Sequence, residues 1–248
     1  MRYFIQIAYN GKDFHGWQVQ PNANTVQAEM NKALTTYFNS GPIHCIGCGR
    51  TDTGVHASDF YLHFDSEKEN LDNTENVYRL NRILPFTIVV KRIFKVGEYQ
   101  HTRFDALSRT YEFHIHTEKD PFLLEGSLYF PYELDIDKMN KACTLLFNYS
   151  DFTSFSKVHS DAKTNICKLM RAEWIKKGNK LIFTIQADRF LRNMVRAIVG
   201  TMLDIGQGKI SVAEISKIIE DKDRGRAGKS VNGKGLYLSF VEYDFIEQ

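Results

Sequence analysis

Apolar residues recur along this chain with two periods, that of a pleated strand and that of a helix, and the switches between them mark out the elements. Tyr3, Ile5, Ile7 and Tyr9 alternate with Arg2, Phe4, Gln6 and Ala8, which predicts a first strand with one plainly apolar face, closed by the turn pair Asn10-Gly11. The aromatic and polar stretch from Phe14 to Pro21 has no period and reads as an ordered loop. Thr25 is placed to cap a helix over 25–39, in which Val26, Met30, Ala33, Leu34, Tyr37 and Phe38 stand at helical spacing. His44 to Ile46 reads as a strand entering a Gly-rich loop. Ala57 to Phe64, with Phe60, Leu62 and Phe64 in alternation, reads as the strand leaving it. Residues 65–76 read as a solvated connection, 77–84 as a short helix ended by Pro85, and Ile88-Val89-Val90 as a buried strand.

The second half repeats this grammar. Tyr111, Phe113 and Ile115 alternate as a strand, with His114 and His116 on an opposite face that is expected to be exposed. Met139, Ala142, Cys143, Leu146 and Phe147 predict an amphipathic helix behind Asp137, and Leu181, Phe183 and Ile185 another strand. The longest helix is predicted over 188–205, capped by Asp188 and stopped by Gly206. One side of it carries Leu191, Met194, Val195, Ile198 and Met202, the other Arg189, Arg192, Asn193 and Arg196. Ser211-Val212-Ala213-Glu214 has the form of a capping box for a helix through Ile219. A flexible basic loop, Arg224 to Lys229, precedes a strand that starts at Gly235-Leu236-Tyr237-Leu238. The irregular stretch before Tyr111 suggests two α/β halves, 1–104 and 105–248, although no Pro-, Gly- or Ser-rich linker marks the boundary.

Composition adds limits. The 248 residues are 43% apolar and 25% charged, which suits a globular protein and not a disordered one. A formal charge of +2, from 32 basic and 30 acidic residues, leaves any nucleic-acid site to a local basic groove. The chain opens like a strand, without the apolar core of a signal peptide, and no run approaches the ~18 apolar residues of a membrane helix, so a cytoplasmic protein is expected. Cys45 and Cys48 have a spacing used by zinc and redox sites. Cys143 and Cys167 stand alone, however, so buried free thiols are expected and no metal site.

The stretch Gly47-Cys48-Gly49-Arg50-Thr51-Asp52-Thr53-Gly54-Val55-His56-Ala57 has no comfortable packing explanation. Three glycines in eight residues free the backbone for positive φ and for close approach, with a cation and a carboxylate set among them. Asp52 is therefore a candidate nucleophile, base or metal ligand. A plain hairpin turn in which Asp52 bonds its own backbone is the competing reading. Trp17 and His15 are candidate surfaces for stacking RNA bases or, equally, loop anchors. The arginine stripe on the predicted long helix reads by pattern alone as a solvated face, and Tyr111 as a core residue. Lys157, Lys163 and Lys168 are candidate phosphate contacts or solvated surface.

The Asp52 string resembles the GRTD-x-GVHA signature of the pseudouridine synthase I (TruA) family of tRNA-modifying enzymes. Further blocks resemble it independently: Tyr9-Asn10-Gly11 with Gly16-Trp17-Gln18, His101 to Ala106 with Arg109-Thr110-Tyr111, Asp151 to Ser156, Asn193 to Arg196 with Gly200, and Gly235 to Leu238. The resemblance implies an α+β fold of two sheet-and-helix halves forming one extended mixed, mainly antiparallel sheet with a central basic cleft. It implies Asp52 as nucleophile, Arg196 as the cation paired with it, Tyr111 against the target uridine, and Leu236 lining the uridine pocket. Arg50, Arg109, Arg189 and Arg192 are expected to contact the RNA. The implied activity is isomerisation of uridine to pseudouridine in tRNA, at positions 38 to 40 of the anticodon stem-loop, by a homodimer without a cofactor. Two departures are visible, Thr87 where the family often has Asp and the Val231-Asn232-Gly233 region where it usually has Pro. A synthase for other RNA uridines, a non-catalytic RNA-binding module and a hydrolase using Asp52 with His56 are the alternatives.

Overall fold

One face of the strand that begins the chain is buried throughout and the other is buried at Phe4, and this decides how its half of the protein is built. In the computed structural model, which describes residues 1–39, 41–158 and 163–246, the elements run in chain order. They are β1 (Arg2–Tyr9), α1 (Val26–Phe38), β2 (Ile46–Gly47), β3 (His56–Asp65), α2 (Thr74–Ile83), β4 (Ile88–Val96), β5 (Ser108–His116), β6 (Leu128–Tyr129) and α3 (Ile136–Leu146). Then follow β7 (Leu169–Lys177), β8 (Lys180–Ala187), α4 (Met194–Gly206), α5 (Glu214–Glu220) and β9 (Leu236–Glu242). The chain divides into two compact units. One comprises Met1–Leu107 and the residues from Tyr237 onward, the other Ser108–Leu236. Each combines a mainly antiparallel sheet with helices, so the α+β class holds in both. No described helix is long and apolar enough to cross a membrane.

In the first unit the strand order is β4-β1-β3-β9, with β2 paired to β3. The predicted face of Tyr3, Ile5, Ile7 and Tyr9 is fully or nearly fully buried, and α1 packs over it through Val26, Met30, Leu34 and Phe38, with Phe38 stacked on Phe64 at 5.7 Å. Phe4 was expected on the polar side, yet it is fully buried there, with His63, Tyr243 and Phe245 all within 6 Å. The reason is that the end of the chain returns over that face, and burying a Phe contributes roughly 1.5–3 kcal/mol. Thr25 caps α1 as predicted, its hydroxyl accepting from the Ala28 N–H at 3.3 Å. Helix α2 starts at Thr74, capped by Asn73, inside the stretch read as solvated. Only Asn76 and Leu80 of it are buried, too few to show a helical period.

In the second unit β8 pairs antiparallel with both β5 and β7, matching Tyr111 to Ile185 and Phe113 to Phe183, while β6 lies parallel to β5. Helix α3 is fastened to β7 by the Asn140 amide, which donates to the Trp174 carbonyl (3.0 Å) and accepts from its N–H (2.8 Å). Asp135 caps α3, not Asp137, and Phe147 lies beyond its end, exposed. The Ser211 capping box does not form. Helix α5 begins at Glu214, whose carboxylate sits 3.6 Å from Arg226 instead of reaching back to the backbone. His116 is 1% exposed because β6 covers that end of β5, placing Ser127 Oγ 3.0 Å from Nδ1 and the Tyr129 ring beside it. The four cysteines are free and buried as expected, and burial pushes the Cys45 and Cys143 thiols up to about 12 and Cys167 to about 11.

His63 supplies a test of the packing on the second face of the first sheet. It is 2% exposed and its Nδ1 lies 2.8 Å from Thr102 Oγ1. Burial, with His101 and Arg2 adding positive charge nearby, pushes its pKa down to about 4. An unfolded His titrates near ~6.5, so the unfolded chain binds the extra proton first, and stability present at neutral pH is lost as pH falls from there towards 4. Urea unfolding followed between neutral pH and pH ~4.5 is expected to show a falling midpoint, and a His63→Gln chain a shallower fall.

Candidate active site

The Asp52 loop is built from backbone contacts. The N–H of Cys48 donates to the Tyr61 carbonyl at 2.8 Å and prolongs the β2–β3 ladder to the edge of the loop. Gly47 there has no room for a Cβ, which would stand 2.6 Å from the Trp17 ring and 2.7 Å from Phe60. Thr51 is buried, its hydroxyl 2.9 Å from the Tyr9 OH and its carbonyl accepting from the Trp17 N–H at 3.3 Å. The carbonyl of Asp52 closes a turn to the Val55 N–H (3.2 Å), and Gly54, at φ +75°, donates to the Phe14 carbonyl at 3.2 Å. Both chain neighbours of Asp52 are thus tied to this architecture or lead into it, and Asp52 itself is half-buried.

The segment that grips this loop is 9–17. Gly16 holds φ +86°, and a Cβ on it would lie 2.2 Å from the Thr51 carbonyl oxygen; one on Gly11 would lie 1.9 Å from that of Val55. Trp17 is 3% exposed, with its ring 4.3 Å from Phe60. It is the loop anchor of the two readings, while His15 is exposed. His56 stacks on Tyr237 at 4.6 Å, and its Nδ1 accepts the Gly11 N–H at 3.1 Å. That lone pair is committed to structure, which weakens the reading of His56 as a hydrolytic base. A hollow of about 310 Å³ opens beside them, walled by Tyr9, Asn10, His56, Phe86 and Tyr237. Arg50 is exposed.

The remaining candidates lie in the second unit. Arg109 donates from Nη1 to the Asp188 carbonyl at 2.8 Å, and the half-buried Tyr111 ring meets Phe190 edge-on at 5.1 Å. Residues 188–190 therefore bind these two side chains together instead of opening a helix. Asp188 Oδ1 accepts the N–H groups of Lys168 (2.8 Å) and Arg189 (2.7 Å), and α4 begins only at Met194, after Asn193 at φ +69°. The predicted arginine stripe is broken as a result. Arg189 is half-buried and Arg192 exposed, both before the helix, and Arg196 alone of the three arginines lies on α4. Its Nε donates to the Val231 carbonyl at 2.7 Å and its own carbonyl accepts the Val231 N–H at 3.2 Å. Leu236 is buried at the start of β9. Lys157, Lys163 and Lys168 are exposed. The segment Arg224–Lys229, expected to be flexible, is ordered by its own side chains. Arg224 donates to the carbonyls of Ala227 and Gly228 and to Ser230 Oγ, and Arg226 pairs with Asp221 at 3.0 Å.

Sequence patterns alone gave no sign that Tyr9, Gly11, Gly16 and Val231 are the supports of Asp52 and Arg196. Gly11 reads locally as part of a turn pair, and local pattern has no means of pairing residues so far apart in the chain.

Comparison with known proteins places these features in context. A model of the family described as tRNA pseudouridine synthase matches residues 142–244. The chain is 52% identical over 243 residues to a protein of Bacteroides fragilis named tRNA pseudouridine synthase A, covering 98% of this chain and 96% of that one. It is 50% identical over 242 residues to the Parabacteroides distasonis protein of the same name, at 98% and 96% coverage. A Listeria monocytogenes serotype 4a protein of that name is 39% identical over 249 residues, at 98% and 99% coverage.

The grip on the Asp52 loop is open to a direct test. Gly16→Ala combines positive φ with a backbone clash, and strain of this kind costs of order 1–3 kcal/mol. A loss of unfolding free energy of that size, read as a lower urea midpoint at unchanged slope, is expected, with increased protease cleavage near residues 49–55. An unchanged midpoint would mean that the two loops are not locked together.

Proposed function

The chain belongs to the tRNA pseudouridine synthase family, and from that membership we propose that Asp52 is the nucleophile with which it isomerises uridine to pseudouridine in tRNA. It is an isomerase. The glycosidic bond between C1′ and N1 breaks, the base turns, C1′ bonds to C5, the proton of C5 leaves to solvent, and N1 takes up a proton in its place. Nothing is oxidised and no cosubstrate is consumed. The chemistry needs a carboxylate that adds to the sugar or to the base ring, and either route assigns the same residue.

A nucleophile in a site closed to water must stay ionised, and an isolated buried charge is costly unless a cation accompanies it. Arg196 is proposed for that part. Its anchored Nε supports the assignment, since a guanidinium held at one nitrogen keeps its fork aimed with less loss of side-chain freedom. Tyr111 is proposed to lie against the uridine and to help remove the C5 proton, and Leu236 to form an apolar wall. Arg50, Arg109, Arg189 and Arg192 are proposed as RNA contacts. A uridine in a paired stem is out of reach, so the nucleotide must be flipped out at a cost of a few kcal/mol. Positions 38 to 40 of the anticodon stem-loop, a homodimer and a cytoplasmic setting complete the proposal, all three by family resemblance.

The observation that carries this reading is the construction of the Asp52 loop, in which a polar Gly-rich turn is held by a second loop with no side chain between the two backbones. A connector would not need such a mould. Tritium release from tRNA transcripts carrying [5-³H]uridine is expected from the native chain. Asp52→Asn is expected to release none while binding tRNA within about tenfold of native affinity, because phosphate contacts dominate that affinity. Release by Asp52→Asn at the native rate would remove the assignment.

A further inference from the structure

Arg224 uses its guanidinium in an unusual way for a partly exposed arginine. Its neighbour Arg226 makes ion pairs with Asp221 and Glu214. Arg224 instead donates from Nη1 to the carbonyls of Ala227 (3.3 Å) and Gly228 (3.2 Å) and from Nη2 to Ser230 Oγ (2.7 Å). One planar fork thereby closes the segment 227–230 into a single shape. A lysine has no such fork.

That segment lies directly on α4. A Cβ on Gly200 would stand 1.9 Å from the Lys229 carbonyl oxygen, and one on Gly228 would stand 2.7 Å from the Thr201 nitrogen, so helix and segment touch backbone to backbone. Three bonds fix the contact: Gly228 N–H to Thr201 Oγ1 (2.9 Å), Asn193 Nδ2 to Ser230 Oγ (2.6 Å), and Val231 N–H to the Arg196 carbonyl (3.2 Å). The next group along is the Val231 carbonyl that receives Arg196 Nε at 2.7 Å.

We propose that Arg224 is a positioning residue for Arg196: it holds residues 227–231 against the first turns of α4 and so sets the direction in which the Arg196 guanidinium points. The proposal rests on the assignment of Arg196 to the chemistry. It predicts an effect on turnover and not on RNA affinity, because Arg224 spends its donors within the protein.

The test is a double-mutant cycle measured as single-turnover tritium release and as tRNA binding over a salt series. Arg196→Ala must first lower kcat. If it does not, the premise fails, and the proposal with it. Given that loss, Arg224→Ala and Arg224→Lys are each expected to lower kcat about tenfold with KM within about twofold, and to cause no further loss in the Arg196→Ala background. Recovery of turnover by Arg224→Lys, a raised KM with a shallower salt slope, or losses that add independently of Arg196 would overturn the proposal and make Arg224 a phosphate contact or a general fold element. Thermal melts accompany each variant. Should Arg224→Ala not fold, Ser230→Ala removes one joint of the same clamp and is held to the same non-additivity.

Discussion

Where Gly11 and Gly16 meet Val55 and Thr51, two loops distant in sequence are in backbone contact, with carbonyl oxygens 1.9 and 2.2 Å from where a Cβ would stand. The path of the Asp52 loop depends on that contact. It excludes any side chain larger than hydrogen at two positions, and it carries the hydrogen bonds from the Trp17 N–H to the Thr51 carbonyl, from the Gly54 N–H to the Phe14 carbonyl and from the Gly11 N–H to His56 Nδ1 that give the loop its path. A carboxylate that must attack one atom of a flipped nucleotide gains from such a support, since a displacement of an ångström costs a catalyst heavily.

The second unit solves a similar problem with the same device. Gly200 on α4 and Gly228 in the following segment allow helix and loop to touch without an intervening side chain, and hydrogen bonds along the seam then carry Val231 to Arg196. In both units glycine does more than permit a turn. It removes the spacer that would keep two backbones apart, and each time the residue held in place is a charged one.

Polar groups drawn into the interior are treated differently. His63 and His116 each have Nδ1 beside a hydroxyl, from Thr102 and Ser127, and burial lowers the pKa of both. They are held neutral and serve packing. Asn140 and Asn76 likewise spend their hydrogen-bonding capacity joining one element to another, and Thr25 spends its own capping α1. The buried Asp59 carboxylate is likewise partnered, accepting from Gln6 Nε2 at 2.7 Å and from the Val241 N–H at 3.0 Å, as the cost of burying an unpaired polar or charged group requires.

Periodicity and capping chemistry reach over a few residues, so the sequence by itself determined what lies within that range: β1, α1 with its Thr25 cap, the strand leaving the Asp52 loop, β5, β8 and the glycine-rich string around Asp52. It failed where a local preference was overruled from afar. The helix pattern from 188 was broken because the Asp188 side chain closes onto Lys168 and its own successor, moving the helix start to Met194 and dissolving the arginine stripe. His116 was hidden by β6, and Arg224 and Arg226 were engaged by carbonyls and carboxylates that no spacing rule connects to them. Only the tertiary structure decided which loop grips Asp52 and which carbonyl receives Arg196. Those pairings are set by long-range strand register and by the absence of a side chain on the facing glycine, and neither is a property of any short stretch of chain.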